Sequence, residues 1–342
     1  MADTSSRRPR RRAKQPTIAE VAREAGVSAI TVSRVLNTPE SVRETTRRRV
    51  EAAIETVGYV PNRLAGSLAS AQSRFIAVIV PSLSNIVFTE VIQGLQATFE
   101  ARGYQILLGN TDYDLQREDQ LVSTFLGWSP AALVITGLRH SEACGRRLRQ
   151  WEGPIVEIME LGTAIDLNVG LDHLEAGRCM AGHLRERGYR RVVYVGAQMA
   201  RDYRARLRYE GHCEVLAAAG LEAPLLDMDQ LGQFETGARA LDQVLATHPE
   251  AEAIHFANDD LATGALLHAN RLGIAVPQRI AIAGFNGLAI GQHVTPRLTS
   301  IASPRELIGR RAAQAVLARL DGEATVDGPL DVGFTLMAGE ST

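Results

Sequence analysis

Cysteine, aromatic residues and long apolar runs are all scarce in this chain of 342 residues. The three cysteines, Cys144, Cys179 and Cys213, are far apart and follow no metal-ligand spacing, so neither a disulfide framework nor a bound metal is expected. No apolar stretch approaches the length of a membrane span, and residues 1–16 lack the apolar core of a signal peptide. These absences predict a cytoplasmic protein with reduced thiols and no membrane partner.

The usual signatures of catalysis are missing as well. The histidines are scattered without H-E-x-x-H spacing, and the chain contains neither a G-x-S-x-G nucleophile turn nor a phosphate-binding P-loop. The glycines at 284 and 287 follow a predicted strand, but their spacing is too short for a dinucleotide fingerprint. The sequence therefore predicts a binding protein without cofactors, and a sugar-modifying enzyme is the remote alternative.

Charge is divided unevenly along the chain. Residues 1–74 carry 14 Lys and Arg against 7 Asp and Glu, whereas residues 75–342 carry 23 against 32. A basic head on an acidic body indicates that a polyanion such as nucleic acid binds at one end. The first 16 residues are rich in arginine and have no apolar periodicity, which predicts a disordered basic arm. This arm either touches DNA loosely or only aids solubility.

Residues 17–37 have the pattern of two short helices joined by a tight turn. Thr17 and Glu20 have capping-box spacing, Gly26 permits the turn, and Ser28 can cap the second helix. The apolar positions of that helix would pack inward and leave a short face exposed. Such a face can enter the DNA major groove and contact base edges and phosphates. The alternative is a small helical bundle with an ordinary solvated face.

This stretch, TIAEVAREAGVSAITVSRVLN, resembles the headpiece of the LacI/GalR family of transcriptional repressors and matches its pattern at every defined position. The resemblance implies that the second helix reads a palindromic operator in double-stranded DNA and that the protein binds as a homodimer. Within this helix-turn-helix domain, the residues implied to contact DNA are Thr17, Ser28, Ala29, Ile30, Thr31, Ser33, Arg34 and Asn37.

Residues 60–73 resemble the hinge helix of the same family, which orders on DNA and inserts a leucine into the minor groove. Leu68 stands at the place of that leucine, and Asn62 can cap the helix and is also expected to contact DNA. A helix of about seven residues is not stable alone, because nucleation is costly. A flexible linker is the alternative, and it fits the segment when DNA is absent.

From residue 74 onward, short apolar strands alternate with amphipathic helices, which predicts an α/β body of doubly wound parallel sheets. Two such series predict two lobes with a ligand cleft at the carboxyl ends of the strands. The resemblance implies a two-lobed, periplasmic-binding-protein-like effector and dimerisation domain. The expected organisation is a basic arm at 1–16, a helix-turn-helix domain at 17–59, a hinge at 60–73, and an effector domain at 74–342, with lobe 1 at 74–172 and 304–342 and lobe 2 at 173–303.

Polar residues that follow the predicted strands outline this cleft. Arg208 stands where family members hold an effector-binding arginine, and a guanidinium binds a planar carboxylate through two parallel hydrogen bonds. Asn286 stands where many members have an aspartate, and the loss of that charge favours an acidic effector. The expected effector contacts are Ser84, Phe88, Asn110, Glu160, Arg204, Arg208, Asn258, Asp259 and Asn286.

The body is most similar to the gluconate-operon repressors of this family, in segments such as ANDDLATGA and IAGFNGLAIGQHV. This implies a repressor of sugar-acid metabolism that a small sugar acid such as D-gluconate releases from its operator. The effector could instead be 2-ketogluconate, 6-phosphogluconate or a neutral sugar, and the effect could be corepression. The apolar stripe from Phe88 to Ala97 is expected to form either a dimer face or part of the core.

Overall fold

The structure, a computed structural model, describes residues 16–60, 73–230, 233–323 and 328–342. The chain divides into two compact units, residues 1–72 and residues 73–342. The predicted basic arm up to residue 15 lies outside the described residues, as do Asn62 and Leu68 of the predicted hinge. No helix in the described ranges is both long enough and apolar enough to cross a membrane.

Three α-helices and a short 3-10 helix at Pro39–Ser41 form the described part of the first unit: α1 at Ile18–Ala25, α2 at Ala29–Asn37 and α3 at Glu44–Val57. The Thr17 amide donates to the Glu20 carboxylate over 2.7 Å, which closes one half of the predicted capping box. Gly26 has a φ of 60° and ends α1 in the left-handed conformation that the tight turn needs. The Ser28 hydroxyl then accepts from the Thr31 amide over 3.2 Å and caps α2.

The core of this unit is small and apolar. Val21, Val32 and Val50, one from each helix, have no exposed surface. Arg49 on α3 adds hydrogen bonds to this packing. Its Nη2 donates to the carbonyl oxygens of Ala25 over 2.7 Å and of Gly26 over 3.2 Å. These oxygens are left unpaired by the helix end, so Arg49 fixes α3 against the turn between α1 and α2.

The second unit contains two sheets of six strands each. The first sheet has the order β11-β5-β4-β3-β1-β2 and is parallel throughout. Its strands are β1 at Phe75–Val80, β2 at Gln105–Asn110, β3 at Ala132–Thr136, β4 at Ile155–Ile158, β5 at Leu167–Gly170 and β11 at Leu330–Asp331. Its helices are α4 at Ile86–Glu100, α5 at Leu115–Leu126, α6 at Glu142–Gln150 and α11 at Arg305–Leu320. Together these elements form lobe 1.

The second sheet has the order β12-β10-β9-β8-β6-β7 and forms lobe 2. Its strands are β6 at Val192–Ala197, β7 at Leu225–Met228, β8 at Ala253–Phe256, β9 at Ala281–Asn286, β10 at Thr299–Ala302 and β12 at Thr335–Met337. Its helices are α7 at His173–Glu186, α8 at Tyr203–Ala218, α9 at Phe234–Thr247 and α10 at Asp259–Leu272. Most strand interiors are buried on both faces, as expected for parallel sheets covered by helices.

The chain passes between the lobes after β5, after β10 and after β11. The assignment of all of residues 304–342 to lobe 1 is wrong for the last segment. Strand β12 pairs antiparallel with β10, so that Met337 lies opposite Ser300, and Ser341 donates to the Ile282 carbonyl over 2.6 Å. Strand β12 is only three residues long and pairs with a strand distant in the chain, so no local periodicity indicated its partner.

Paired glycines bring helices into backbone contact in both lobes. A Cβ atom at Gly177 on α7 would lie 2.1 Å from the carbonyl oxygen of Arg208 on α8, and one at Gly211 would lie 2.0 Å from that of Leu174. Only glycine permits this approach. Gly94 on α4 meets α11 in the same way.

The contact between α4 and α11 also decides the role of the apolar stripe on α4. Phe88, Val91 and Leu95 are buried in the core of lobe 1. These three residues of the stripe therefore belong to the core of one chain, whereas Ile92 is partly buried and Ala97 is exposed.

Candidate functional site

The predicted DNA-reading helix presents one exposed face. Ile30 is 67% exposed, so its apolar side chain is available for contact. Thr17, Ser28, Ala29 and Arg34 are also exposed, and Thr31 and Ser33 are partly buried. Asn37 lies at the carboxyl end of α2. The geometry therefore brings the predicted base-contacting residues together on the surface opposite the buried Val32.

In the second unit, a cavity of about 590 Å³ lies between the lobes, at the carboxyl ends of their strands. Its volume is in the range of small-molecule sites. Six of the predicted effector contacts line it, namely Ser84, Phe88, Arg204, Arg208, Asn258 and Asn286. Other lining residues were not predicted from the sequence, including Tyr113, His173, Asp202, Asp260 and Phe285.

Asn110, Glu160 and Asp259 do not line the cavity. Asp259 is fully buried, and its two carboxylate oxygens accept hydrogen bonds from the Ser300 hydroxyl and the Leu288 amide, each over 2.6 Å. Burial raises its pKa to about 6, although both hydrogen bonds oppose the rise. Asp259 therefore holds the end of the second sheet together, and its neighbour Asp260 faces the cavity instead.

Glu160 joins the two lobes through protein contacts. Its carboxylate accepts from the Tyr203 hydroxyl of lobe 2 and from the Leu138 amide of lobe 1. The guanidinium of Arg139 lies 4.4 Å from the centre of the Tyr203 ring. Burial raises the pKa of Glu160, and nearby guanidinium groups, above all that of Arg204, oppose this rise. Glu160 therefore contacts both lobes, and its role as an effector contact stays a prediction.

Arg208 is the most distinctive charged group in the cavity wall. It is only 4% exposed, and its guanidinium carbon lies 4.0 Å from the centre of the Phe285 ring. Nη1 donates to Nδ1 of His173 and Nη2 to the carbonyl oxygen of Ala257, each over 2.9 Å. Among the described residues, no carboxylate forms an ion pair with Arg208, and its Nε has no hydrogen-bond partner. A buried cation is ordinarily paired, so a guanidinium without a carboxylate partner is an unusual feature of the cavity wall.

Several cavity residues hold unusual backbone conformations. Asp112, Tyr113, Met159 and Asn286 have positive φ values between 56° and 120°, a region that non-glycine residues rarely adopt. All four line the cavity. Such conformations cost on the order of 1–3 kcal/mol each and concentrate at functional sites, which supports a functional role for this cavity.

A second polar cluster lies in lobe 1. His140 donates to Glu118 through Nδ1 over 2.7 Å and to Glu157 through Nε2 over 3.0 Å, and Cys144 lies close to Glu118. Burial lowers the pKa of His140, but its hydrogen bonds to the two carboxylates and their negative charges outweigh this effect and raise the pKa to about 9. The three side chains Glu118, His140 and Cys144 are close enough to hold a metal ion, although hydrogen bonds already satisfy both ring nitrogens.

A headpiece with an exposed recognition helix, and a two-lobed body with a polar cleft, define the class of DNA-binding regulators that respond to a small ligand. The model of the lacI family of bacterial regulatory proteins matches residues 17–62, and that of a periplasmic binding protein-like domain matches residues 181–342.

Relatives match along the whole chain. The protein is 42% identical to the HTH-type transcriptional regulator GntR of Pseudomonas aeruginosa, with all of both chains covered. It is 36% identical to the regulator of the same name from Escherichia coli, covering 96% of this chain and 99% of the relative. A solved lacI-family transcriptional regulator from Silicibacter pomeroyi is 38% identical, with a TM-score of 0.90 over 95% of this chain and 99% of that one.

The chain belongs to the lacI family of DNA-binding transcriptional regulators. The family resemblance, the fold class and the assignment to regulators rather than enzymes are thereby confirmed.

Proposed function

We propose that this lacI-family regulator represses genes of sugar-acid metabolism and leaves its operator when D-gluconate binds in the cleft between its lobes. The observation that carries the proposal is the buried guanidinium of Arg208, which has no carboxylate partner among the described residues. A ligand carboxylate would supply the missing charge and accept the free N–H groups. A neutral sugar would leave the cation unpaired.

The remaining walls suit a polyhydroxylated chain. Ser84, Asn258 and Asn286 offer neutral polar groups, and Asp202 and Asp260 offer carboxylates that accept hydrogen bonds from hydroxyl groups. Arg204, 7% exposed, adds a second guanidinium, and Asp202 lies 3.9 Å from it. One ligand end therefore meets positive charge while its hydroxyls meet acceptors, which fits an aldonic acid better than a dicarboxylate. The resemblance to GntR regulators supports the same class.

A phosphorylated acid such as 6-phosphogluconate is the second candidate. A neighbouring cavity of about 360 Å³ shares Tyr113 and Arg204 with the first, and its wall also contains Arg139 and Arg201. Three guanidinium groups at one cavity would accommodate a phosphate dianion. The longer ligand would then span both cavities.

On the DNA side, we assign base contacts to Ala29, Ile30 and Arg34, whose side chains share the exposed face of α2. Ala29 and Ile30 offer no hydrogen bonds and would contact thymine methyl groups or read groove shape. We assign backbone contacts to the remaining predicted set, which is Thr17, Ser28, Thr31, Ser33, Asn37 and Asn62. Leu68 would form a minor-groove wedge.

The proposed switch is a linkage between two equilibria. A homodimer presents two headpieces to the two halves of a palindrome. Effector stabilises the closed arrangement of the lobes, and this arrangement disfavours the headpiece spacing that the operator requires. To act as a switch, the effector must favour the released state by a few kcal/mol.

Isothermal titration with D-gluconate, 2-ketogluconate, 6-phosphogluconate and the neutral polyol D-glucitol tests the effector class. We expect at least one acid to bind with an affinity at least tenfold higher than that of D-glucitol. Equal binding of acids and D-glucitol, or no heat with any acid, would contradict the proposal. Tighter binding of 6-phosphogluconate than of D-gluconate would select the second candidate.

A further inference from the structure

The effector-facing arginine is held by a histidine that connects the two lobes. His173 Nε2 lies 2.8 Å from the carbonyl oxygen of Met159, and its Nδ1 lies 2.9 Å from Nη1 of Arg208. A carbonyl oxygen only accepts hydrogen bonds, so Nε2 must carry the ring proton. Nδ1 is then unprotonated and accepts from Arg208. The hydrogen-bond pattern thus requires a neutral histidine in one tautomer.

This pair of hydrogen bonds runs across the lobe boundary. Met159 directly follows β4 of lobe 1, His173 is the first residue of α7 where the chain enters lobe 2, and Arg208 lies on α8 of lobe 2. The Met159 backbone has a φ of 81°, and its amide donates to the Val169 carbonyl over 3.0 Å. The acceptor in lobe 1 is therefore fixed by the sheet, in a conformation that costs free energy to maintain.

Packing leaves the Arg208 guanidinium little freedom to turn. His173 and Arg208 are each 4% exposed, and the Phe285 ring lies against both, 5.5 Å from the His173 ring centre and 4.0 Å from the guanidinium carbon. The bonds to His173 and to the Ala257 carbonyl use one N–H on each terminal nitrogen. A guanidinium has five N–H groups. Of the other three, the Nε–H is buried, and the Tyr194 hydroxyl also interacts with the guanidinium, so the plane of Arg208 sets where its remaining terminal N–H groups point.

We propose that His173 is a positioning residue for the effector, which orients the remaining N–H groups of Arg208 toward a ligand carboxylate and so gives the cleft its preference for acids over neutral polyols. This inference rests on the proposed role of Arg208. The carbonyl oxygen of Met159, which accepts from His173, lies in lobe 1. The orientation of the Arg208 guanidinium therefore also depends on the relative position of the lobes.

The charge state of His173 is consistent with this role. Burial, together with the positive charges of Arg208 and Arg204, lowers its pKa well below the ordinary value. The ring therefore remains an acceptor for Arg208 across the physiological range. A protonated ring would repel both arginines and could not accept from Nη1.

The test compares the ratio of D-gluconate to D-glucitol affinity in the full-length protein and two variants. His173→Phe keeps an aromatic ring beside Phe285 but removes both hydrogen bonds. His173→Gln keeps a donor for the Met159 carbonyl and an acceptor for Arg208 in a similar 1,3 arrangement. His212→Phe is the matched control, because His212 is another fully buried histidine and does not line the cavity.

We expect His173→Phe to lower the acid-to-polyol ratio by about tenfold or more, as loss of a hydrogen bond to a charged group would. His173→Gln should recover most of the ratio, and His212→Phe should leave it unchanged. A ratio in His173→Phe equal to that of the unmodified protein, in samples that still bind D-gluconate and melt cooperatively, would overturn the inference while the role of Arg208 stands. Equal falls in the affinities for both ligands would also overturn it, since they would indicate a purely structural histidine.

Discussion

Replacing Arg208 by methionine should abolish most of the affinity for a sugar acid while leaving the fold intact. Methionine fills much of the same volume but cannot bind a carboxylate. Two charge-assisted hydrogen bonds would be lost, each worth about 1.5–3 kcal/mol. The expected loss of about 3 kcal/mol or more corresponds to at least roughly a hundredfold weaker binding. Stability should change less, because removal of a buried unpaired charge offsets the loss of the bonds to His173 and Ala257.

Isothermal titration with D-gluconate measures this effect, and Arg206→Met is the matched control. Arg206 lies on the same helix, is exposed, and does not line the cavity. The control should bind D-gluconate as the unmodified protein does. Unchanged affinity in Arg208→Met, or an equal loss in both variants, would refute the assignment of the carboxylate to Arg208. A melting-temperature measurement on each variant separates lost binding from lost folding.

Three further predictions concern the fold around the site and the headpiece. Gly177→Ala should weaken D-gluconate binding and destabilise the protein by about 1–3 kcal/mol, because the new Cβ would lie 2.1 Å from the Arg208 carbonyl oxygen. The control is Gly182→Ala on the same helix, where a Cβ would have no neighbour within 4 Å. This control should be neutral or stabilising in urea unfolding. Burial lowers the pKa of His212 from 6.5 to about 3. The folded state therefore keeps this ring neutral, and its contribution to stability should be full above about pH 6.5 and fall toward pH 3, by up to about 1.4 kcal/mol per pH unit. Urea unfolding at several pH values measures how the free energy of unfolding depends on pH. A pH dependence that His212→Phe does not reduce would contradict the prediction. Ser28→Ala should cost about 1 kcal/mol in an isolated headpiece, read by circular dichroism, because the Thr31 amide loses its cap; an unchanged melting curve would show that the cap is unimportant.

Local chemistry made the headpiece predictable from the sequence. Capping residues, a glycine turn and apolar spacing act within a few residues of one another, and the structure shows the Ser28 cap and the left-handed Gly26 where the pattern indicated them. The alternation of strands and helices likewise predicted two parallel sheets, because each element buries its own apolar face, and the structure has them apart from the antiparallel β12.

Distant contacts were not predictable in the same way. From the sequence we predicted that Asp259, which follows β8, contacts the effector. In the structure Asp259 is buried and accepts a hydrogen bond from Ser300, whereas its neighbour Asp260 lines the cavity. Which of the two adjacent residues faces the cavity depends on how α10 packs on β9. No sequence pattern indicated that His173 lines the cavity, because its hydrogen-bond partners Met159 and Arg208 are 14 and 35 residues away in the chain.

The central claim is that a sugar acid bound between the lobes weakens operator binding. Full-length protein should first be used to select its preferred palindrome from random duplex DNA, and fluorescence anisotropy then measures affinity for that DNA with and without saturating D-gluconate. We predict at least a tenfold loss of affinity in the unmodified protein and none in Arg208→Met. The same affinity in the presence and absence of an acid that titration shows to be bound would contradict the account.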